Sequence, residues 1–317
     1  MTSCGGGGGG SSSDNLPANS AAPAPAPTPS PPSTTVTSNL IAQAKGTING
    51  EMTYKEIDRE FILYVPSSYD SSSKQPLVFN FHGYGSNANE QMNYGDLRSQ
   101  ADANGFILVH PDALDDIGGK SYWNMGGWSI SVHDDLEFID NLINLLMDKY
   151  SINAERIYST GMSNGGFFSF HLACNLNASF AAIASVTGSM SYETFDNCNA
   201  RKPTPLLQIH GSIDTVVPYS GIDSIMKPVR DVMDYWKLNN GCEDFVLSQP
   251  GLLPGTTSWT ETYLFDNCLN GTQNIHLYVQ GAGHIWPGSI YESINDPNSS
   301  QRIWEFFSKY DINGVIQ

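Results

Sequence analysis

From about Lys45 onward, short apolar runs alternate with longer stretches in which apolar residues recur every three or four positions. Residues 61–65 form an apolar run closed by Pro66, residues 77–81 one closed by His82-Gly83, and residues 106–109 one closed by His110-Pro111. Runs of this length between turn residues predict strands. Residues 134–150 change period: Leu136, Ile139, Ile143 and Leu146 fall on one helical face, and Asp134 and Asp135 stand where a helix N-terminus favours negative charge. Further strands are expected at 156–160, 182–186, 206–210 and 275–279, and further helices from about 164, over 223–238 and over 300–310. This alternation predicts an α/β fold, a mostly parallel central sheet with helices on both faces, in one domain spanning 45–317.

Residues 1–44 follow no such period. Glycines at 5–10, serines after them, Ala-Pro alternation at 22–27 and a Pro/Ser/Thr stretch to Thr37 offer too little apolar surface to offset the entropy of ordering. This segment is expected to be a disordered tether. Thr2-Ser3-Cys4-Gly5 resembles the end of a bacterial lipoprotein signal, in which a small residue precedes a lipidated cysteine. The apolar part of such a signal is not in the sequence, so the chain is expected to begin near the cleavage site. Cys4 would then carry the lipid and be the one point of membrane attachment, with the cell envelope or exterior as its location. An ordinary tail cysteine is the alternative.

Composition narrows the partners. The 317 residues include 32 acidic and 15 basic ones, a formal charge of −17. Such a charge repels nucleic acid and anionic lipid, so neither is an expected partner, and a monomer is expected. The 40% hydrophobic content suffices for a core, and no apolar run reaches the roughly 20 residues of a membrane span. Apart from Cys4, the cysteines are Cys174, Cys198, Cys242 and Cys268, without CxxC spacing. That spacing argues against a zinc or redox site; an even set in an exported domain predicts two disulfides. Of three connectivities, the local pairs Cys174–Cys198 and Cys242–Cys268 are favoured, with four buried thiols as the alternative.

The strongest chemical signal is Gly161-Met162-Ser163-Asn164-Gly165-Gly166, a GxSxG placed between a predicted strand and a predicted helix. That context defines a nucleophile elbow. A turn so tight leaves no room for side chains two residues before and after the serine, hence Gly161 and Gly165. A serine needs a general base, and the base an orienting acid. In chain order Ser, Asp, His, two later loops supply them: Asp214 after the strand at 206–210, and His284 in Gly281-Ala282-Gly283-His284-Ile285-Trp286 after the strand at 275–279. Asp214 could instead be a turn residue and His284 a structural histidine. His133, beside two aspartates, is the competing base, but it precedes the serine. Oxyanion donors are expected at the backbone N–H of Asn164 and of Tyr84, the latter in His82-Gly83-Tyr84-Gly85. Trp123, Trp128 and Trp286 are candidates for an apolar wall of the substrate site, or for anchors of their loops. Asp112, Asp115 and Asp116 lack the spacing of a calcium loop and read as a solvated turn.

Four motifs, Gly161 to Gly166, His82-Gly83-Tyr84-Gly85, His210-Gly211 with Asp214 and Val217-Pro218-Tyr219, and Gly283-His284-Ile285-Trp286-Pro287-Gly288, together resemble the esterase family of poly(3-hydroxybutyrate) depolymerases, feruloyl esterases and acetylxylan esterases. Arg156-Ile157-Tyr158 and Phe180-Ala181-Ala182 add to the likeness, which covers nearly all of 45–317. The resemblance implies an α/β-hydrolase fold, secretion, no metal and no organic cofactor, and maps the triad onto Ser163, Asp214 and His284. Tyr84 stands where relatives commonly have cysteine, so their disulfide pattern does not transfer. The expected function is a secreted serine esterase working through an acyl-enzyme on feruloyl or acetyl esters of polysaccharide. A polyester hydrolase is the next reading, ahead of a serine peptidase or a non-catalytic surface binding protein.

Overall fold

The computed structural model describes residues 36–126, 131–243, 245–248, 260–294 and 297–316. Among them, eleven strands join in one sheet. In chain order they are β1 (Thr37–Ser38), β2 (Gly46–Tyr54), β3 (Ile57–Val65), β4 (Gln75–Phe81), β5 (Ile107–Pro111), β6 (Ile152–Met162), β7 (Ala182–Val186), β8 (Leu206–Gly211), β9 (Val246–Ser248), β10 (Thr260–Phe265) and β11 (Asn274–Val279). Their spatial order is β1-β2-β3-β5-β4-β6-β7-β8-β11-β10-β9. The strands from β5 to β11 in that order run parallel, and antiparallel strands finish both edges.

Alternation along the central strands sends side chains into two cores. Leu77, Phe79 and Phe81 of β4 and Ile107 and Val109 of β5 enter one core, with Phe138, Ile139, Leu142 and Leu146 of α3 (Asp135–Lys149) and Phe167 and Phe168 of α4 (Asn164–Asn175). Val78 and Leu108, one position out of phase, enter the other, against Ile303, Phe306 and Phe307 of a C-terminal helix, Ser299–Phe307. Burial on both faces explains why these strands read as unbroken apolar runs. The long helix starts where its charge pattern places it: Asp134 is the N-cap, its carboxylate accepting the Glu137 N–H at 2.9 Å.

Two boundaries differ from expectation. Residues 36–44, assigned to the tether by composition, belong to the folded unit: β1 pairs with Thr53 and Met52, Leu40 is buried, and Asn39 Oδ1 accepts the Glu51 N–H. The helix expected over 223–238 runs instead from Val229 to Asn240, because Pro228 disfavours helical geometry at the residue before it. Upstream of it, Ile222 pairs with Met226 in a tight bridge. Cys4 and the rest of the tail lie outside the described residues.

Two disulfides are present, Cys174–Cys198 and Cys242–Cys268. The first ties the last turn of α4 to the segment after a short helix, Tyr192–Asp196; the second ties the loop after Val229–Asn240 to the loop after β10. Loops of 24 and 26 residues correspond to about 3 kcal/mol each of lost unfolded-state entropy. Replacing Cys174 and Cys198 together by alanine is therefore expected to lower the unfolding free energy by about 3 kcal/mol, read from urea denaturation at matched pH.

Candidate active site

Ser163 stands between β6 and α4 with φ 54° and ψ −122°, a backbone region that non-glycine residues rarely enter and that costs about 1–3 kcal/mol. Backbone crowding holds it there. A Cβ on Gly165 would lie 2.2 Å from the Phe81 carbonyl oxygen, and one on Gly161 would lie 2.6 Å from the Gly165 carbonyl carbon. The end of β4 thus passes directly under the turn, and only glycine fits at either position. The half-buried Ser163 side chain faces a cleft of about 510 Å³. Gly83 runs beside it: a Cβ there would sit 3.4 Å from Ser163 Cβ and 3.9 Å from its Oγ.

His284 lines the same cleft, and its Nδ1 lies 2.8 Å from Asp214 Oδ2. The two loops that carry this pair are zipped together beyond the sheet. The N–H groups of Ser212 and Ile213 donate to the carbonyls of Val279 and Ala282, and the Gly281 N–H donates to Ser212 Oγ. The approach is so close that a Cβ on Gly211 would meet the Ala282 oxygen at 2.3 Å. The other carboxylate oxygen of Asp214 accepts the N–H groups of Val216 and Val217 at 2.9 and 2.8 Å. Burial pushes the Asp214 carboxyl up, but the hydrogen bond and charge of His284, the Val217 N–H and the nearby His210 outweigh it, leaving the group below its ordinary 3.8. Behind the pair, buried His210 is held low by desolvation; its Nε2–H donates to the Val217 carbonyl at 2.8 Å and its Nδ1 accepts from the Gln208 amide at 3.0 Å.

The loop after β4 is held by a histidine that carries no chemistry of its own. Burial lowers His82 to about 4, so the ring is neutral. Its Nε2 accepts the Ala113 N–H at 3.0 Å, which leaves the proton on Nδ1, where it bonds the Gly83 carbonyl at 2.7 Å. With that oxygen pinned, the trans peptide directs the Tyr84 N–H the opposite way. Tyr84 is steadied in turn by its hydroxyl, which donates to Asp116 Oδ2 at 3.0 Å. Asn164 opens α4, so its N–H has no intrahelical acceptor, while its buried side chain clasps the Trp123 backbone at 2.8 and 3.2 Å.

The tryptophans differ from the expected apolar wall. Trp123 and Trp286 are both 0% exposed, and neither lines the cleft. Trp123 stacks on Phe168 and donates its indole N–H to the His82 carbonyl, while Trp286 donates to Ser300 Oγ and packs against Gly95. They anchor the loops around the site from below. Trp128 lies outside the described residues. The segment before it is fastened by the buried pair Arg59–Asp135, whose carboxylate also accepts the Asn124 N–H. Asp116 is buried rather than solvated, since it accepts the Gly118 and Lys120 N–H groups as well as Tyr84. What does line the cleft, and what sequence reasoning missed, is the polar face of α1 (Ala88–Tyr94), with Asn89, Asn93 and Tyr94, and Tyr291 near-parallel to Tyr94 at 6.2 Å. A seven-residue helix gives too few turns for a periodic signal. Among the described residues no cluster of His, Cys, Asp or Glu could hold a metal ion.

A parallel sheet of this strand order, with a strained serine between strand and helix and a histidine–aspartate pair on later loops, defines the α/β-hydrolase fold. Residues 68–238 match the Phospholipase/Carboxylesterase family, and the chain belongs to it. Among individual proteins, it is 28% identical to a probable feruloyl esterase C of Aspergillus flavus over 82% of this chain and 87% of that one. It is 26% identical to a bifunctional acetylxylan esterase/xylanase of Neocallimastix patriciarum over 85% of this chain, and spans 36% of that protein's length. The acetyl xylan esterase from Aspergillus awamori superposes with a TM-score of 0.55 at 18% identity, covering 79% of this chain and 94% of that one, which shows the shared fold. The protein is a carboxylic ester hydrolase.

The Asp214 geometry sets a pH dependence. Because its folded pKa is depressed, the stability it contributes is present above 3.8 and is lost as pH falls through the lower folded value. The stability difference between the native protein and Asp214→Asn, measured by urea denaturation, is expected to hold at neutral pH and to shrink as pH drops below 3.8. A difference that does not vary with pH would show that the carboxylate is not held in its charged form.

Proposed function

We propose that the protein cleaves carboxylic esters through an acyl-enzyme on Ser163, and that its substrates are feruloyl or acetyl esters borne by polysaccharide. The observation that carries the mechanism is the shared cleft: the strained Ser163 and the imidazole of His284 line it together, with Asp214 holding Nδ1. In this reading Ser163 Oγ attacks the ester carbonyl while His284 Nε2 takes its proton. Asp214 stabilises the imidazolium. The tetrahedral oxyanion is met by the N–H groups of Asn164 and Tyr84, donors of a kind worth about 10²–10³ in rate. The imidazolium returns its proton to the departing alcohol, and water, deprotonated by His284, then releases the acid and frees the serine. The substrate class is supported by the relatives, which are named as feruloyl and acetylxylan esterases. The cleft also suits it, since the Asn89 amide and the Tyr291 phenol offer hydrogen bonds to hydroxyl-rich groups, while Tyr94, its hydroxyl donating to Glu292, presents a ring.

Secretion belongs to the same reading. Two disulfides favour an oxidising compartment, and Thr2-Ser3-Cys4-Gly5 offers a lipid acceptor at the head of the Gly/Ser/Pro-rich segment. Cys4→Ser is expected to move the protein from the membrane fraction to the soluble one when both forms are expressed behind a bacterial lipoprotein signal.

Ser163→Ala is expected to lower kcat/KM on methyl ferulate and acetylated xylan by about 10⁴-fold or more, with stability within about 1 kcal/mol of native. A fluorophosphonate should label Ser163, and His284→Ala should abolish the labelling. Absence of label on Ser163 in the native protein would overturn the mechanism. Turnover of hydroxybutyrate oligomers in preference to both esters would overturn the substrate assignment, and faster cleavage of amides than of esters would point to a peptidase.

A further inference from the structure

A second groove, of about 290 Å³, opens where α6 (Val229–Asn240) meets the antiparallel edge formed by β9, β10 and β11. None of its lining residues lines the Ser163 cleft. Strand alternation explains its composition. His276 and Tyr278 are two positions apart on β11 and share a face, and Tyr263 of β10 stands opposite His276 in the antiparallel register. The intervening Ile275, Leu277 and Val279 turn to the other face, into the core beneath the C-terminal helix. The aromatic face is therefore the one α6 should cover, yet it stays open: Tyr219, Tyr263 and Tyr278 are half-buried, and Phe245 is 45% exposed.

The rings form a platform. Tyr219 and Tyr263 both stack on His276, each at 5.5 Å between centroids and at 13° and 22° between planes, and Tyr278 lies 4.8 Å from Tyr219. Burial, with the Glu261 carboxylate beside it, pushes the Tyr263 phenol up to about 12; its hydroxyl donates to Glu261 Oε2 at 2.7 Å, which fixes the ring, and burial raises the Tyr219 phenol as well. His276 is buried, and its Nε2 has no hydrogen-bond partner among the described residues. At the rim, Arg230 and Asp234, one helical turn apart on α6, are exposed, and neither makes an ion pair or side-chain hydrogen bond among the described residues.

We propose that this groove is a carbohydrate subsite, separate from the catalytic cleft, that holds a neutral pyranose segment of a polysaccharide. The flat C–H face of a pyranose stacks on near-parallel electron-rich rings, whereas its equatorial hydroxyls need bracketing donors and acceptors at the edge, as Arg230 and Asp234 supply. A net charge of −17 disfavours a polyanionic chain, and the opposite charges at the rim leave no local excess to attract one. The volume admits a sugar ring rather than a folded polypeptide segment. The groove also shares a loop with the candidate acid: Tyr219 lies on the loop that carries Asp214 and packs edge-on against His210 at 5.9 Å. The subsite deepens the polysaccharide reading of the function but does not need the ester chemistry.

The full chain bearing Ser163→Ala, titrated calorimetrically with xylohexaose and cellohexaose, separates the two. At least one should bind saturably. Adding Tyr263→Ala should weaken that binding about tenfold, while Tyr263→Phe, which keeps the ring, should stay within about threefold of the parent. Arg230→Ala, exposed on its helix, should also weaken it. In the otherwise native enzyme, Tyr263→Ala and Arg230→Ala should leave p-nitrophenyl acetate turnover unchanged while slowing deacetylation of polymeric xylan. No binding of either oligosaccharide, or affinities unmoved by both Tyr263→Ala and Arg230→Ala, would overturn the proposal, as would equal binding of hexagalacturonate. Should Tyr263-dependent binding persist in a protein that hydrolyses no ester, the subsite stands and the esterase assignment falls; with ester turnover but no such binding, the esterase assignment stands and the subsite falls.

Discussion

The site depends on a contact between backbones. The carbonyl of Phe81 at the end of β4 lies where a Cβ of Gly165 would be, at 2.2 Å, and the turn between β6 and α4 exists only because neither Gly161 nor Gly165 carries a side chain. That closeness forces Ser163 into positive φ and brings its side chain out of the sheet and into the cleft. It also sets Gly83, the first residue past His82, alongside the serine. One steric constraint thus positions the hydroxyl and the adjoining loop together, without any hydrogen bond between their side chains.

The partners arrive by a second close approach. Asp214 and His284 are far apart in the chain, but β8 and β11 are neighbours in parallel register, Leu206 opposite Asn274 through Gly211 opposite Val279. Their following loops leave the sheet side by side at its C-terminal edge, and main-chain bonds from Ser212, Ile213 and Gly281 join them. The remaining lone pairs of Asp214 are taken by the N–H groups of Val216 and Val217, so the carboxylate is fixed before it meets the imidazole. Neutral, buried histidines complete the framing: His82 orients the Gly83 peptide and His210 braces the turn through the Val217 carbonyl.

How much of this is legible from the residues follows from how local each cause is. Ala182–Val186 and α3 appear in the structure almost as their patterns predict, because an apolar run between turns and a helical stripe behind an acidic cap are local signals. The paired cysteines are close in sequence and joined as such. The strand β2 escaped notice because its Thr, Asn and Glu side chains face solvent and it contributes few core residues. The true start of the domain escaped for a related reason: Thr37 and Ser38 form a strand only because β2 offers an unpaired edge. Trp123 and Trp286 show the limit most plainly. Their place in loops near the motifs suggested a substrate wall, whereas packing against Phe168, Gly95 and Ser300 draws both indoles wholly inside.

By itself, then, the order of residues determined the alternating α/β architecture, the tight turn around Ser163, and which later loops could bring a carboxylate and an imidazole to it. Each of these rests on periodicity or on a glycine's lack of a side chain, properties of short stretches of chain. Only the tertiary structure decided what surrounds them. The polar face of α1 and Tyr291 line the cleft in place of the tryptophans, and a row of aromatic rings lies open between α6 and the sheet edge. Those surfaces are assembled from segments distant in sequence. Whether an aromatic side chain ends in the core or on a groove depends on what another element leaves uncovered, and that is settled only when the layers close on one another.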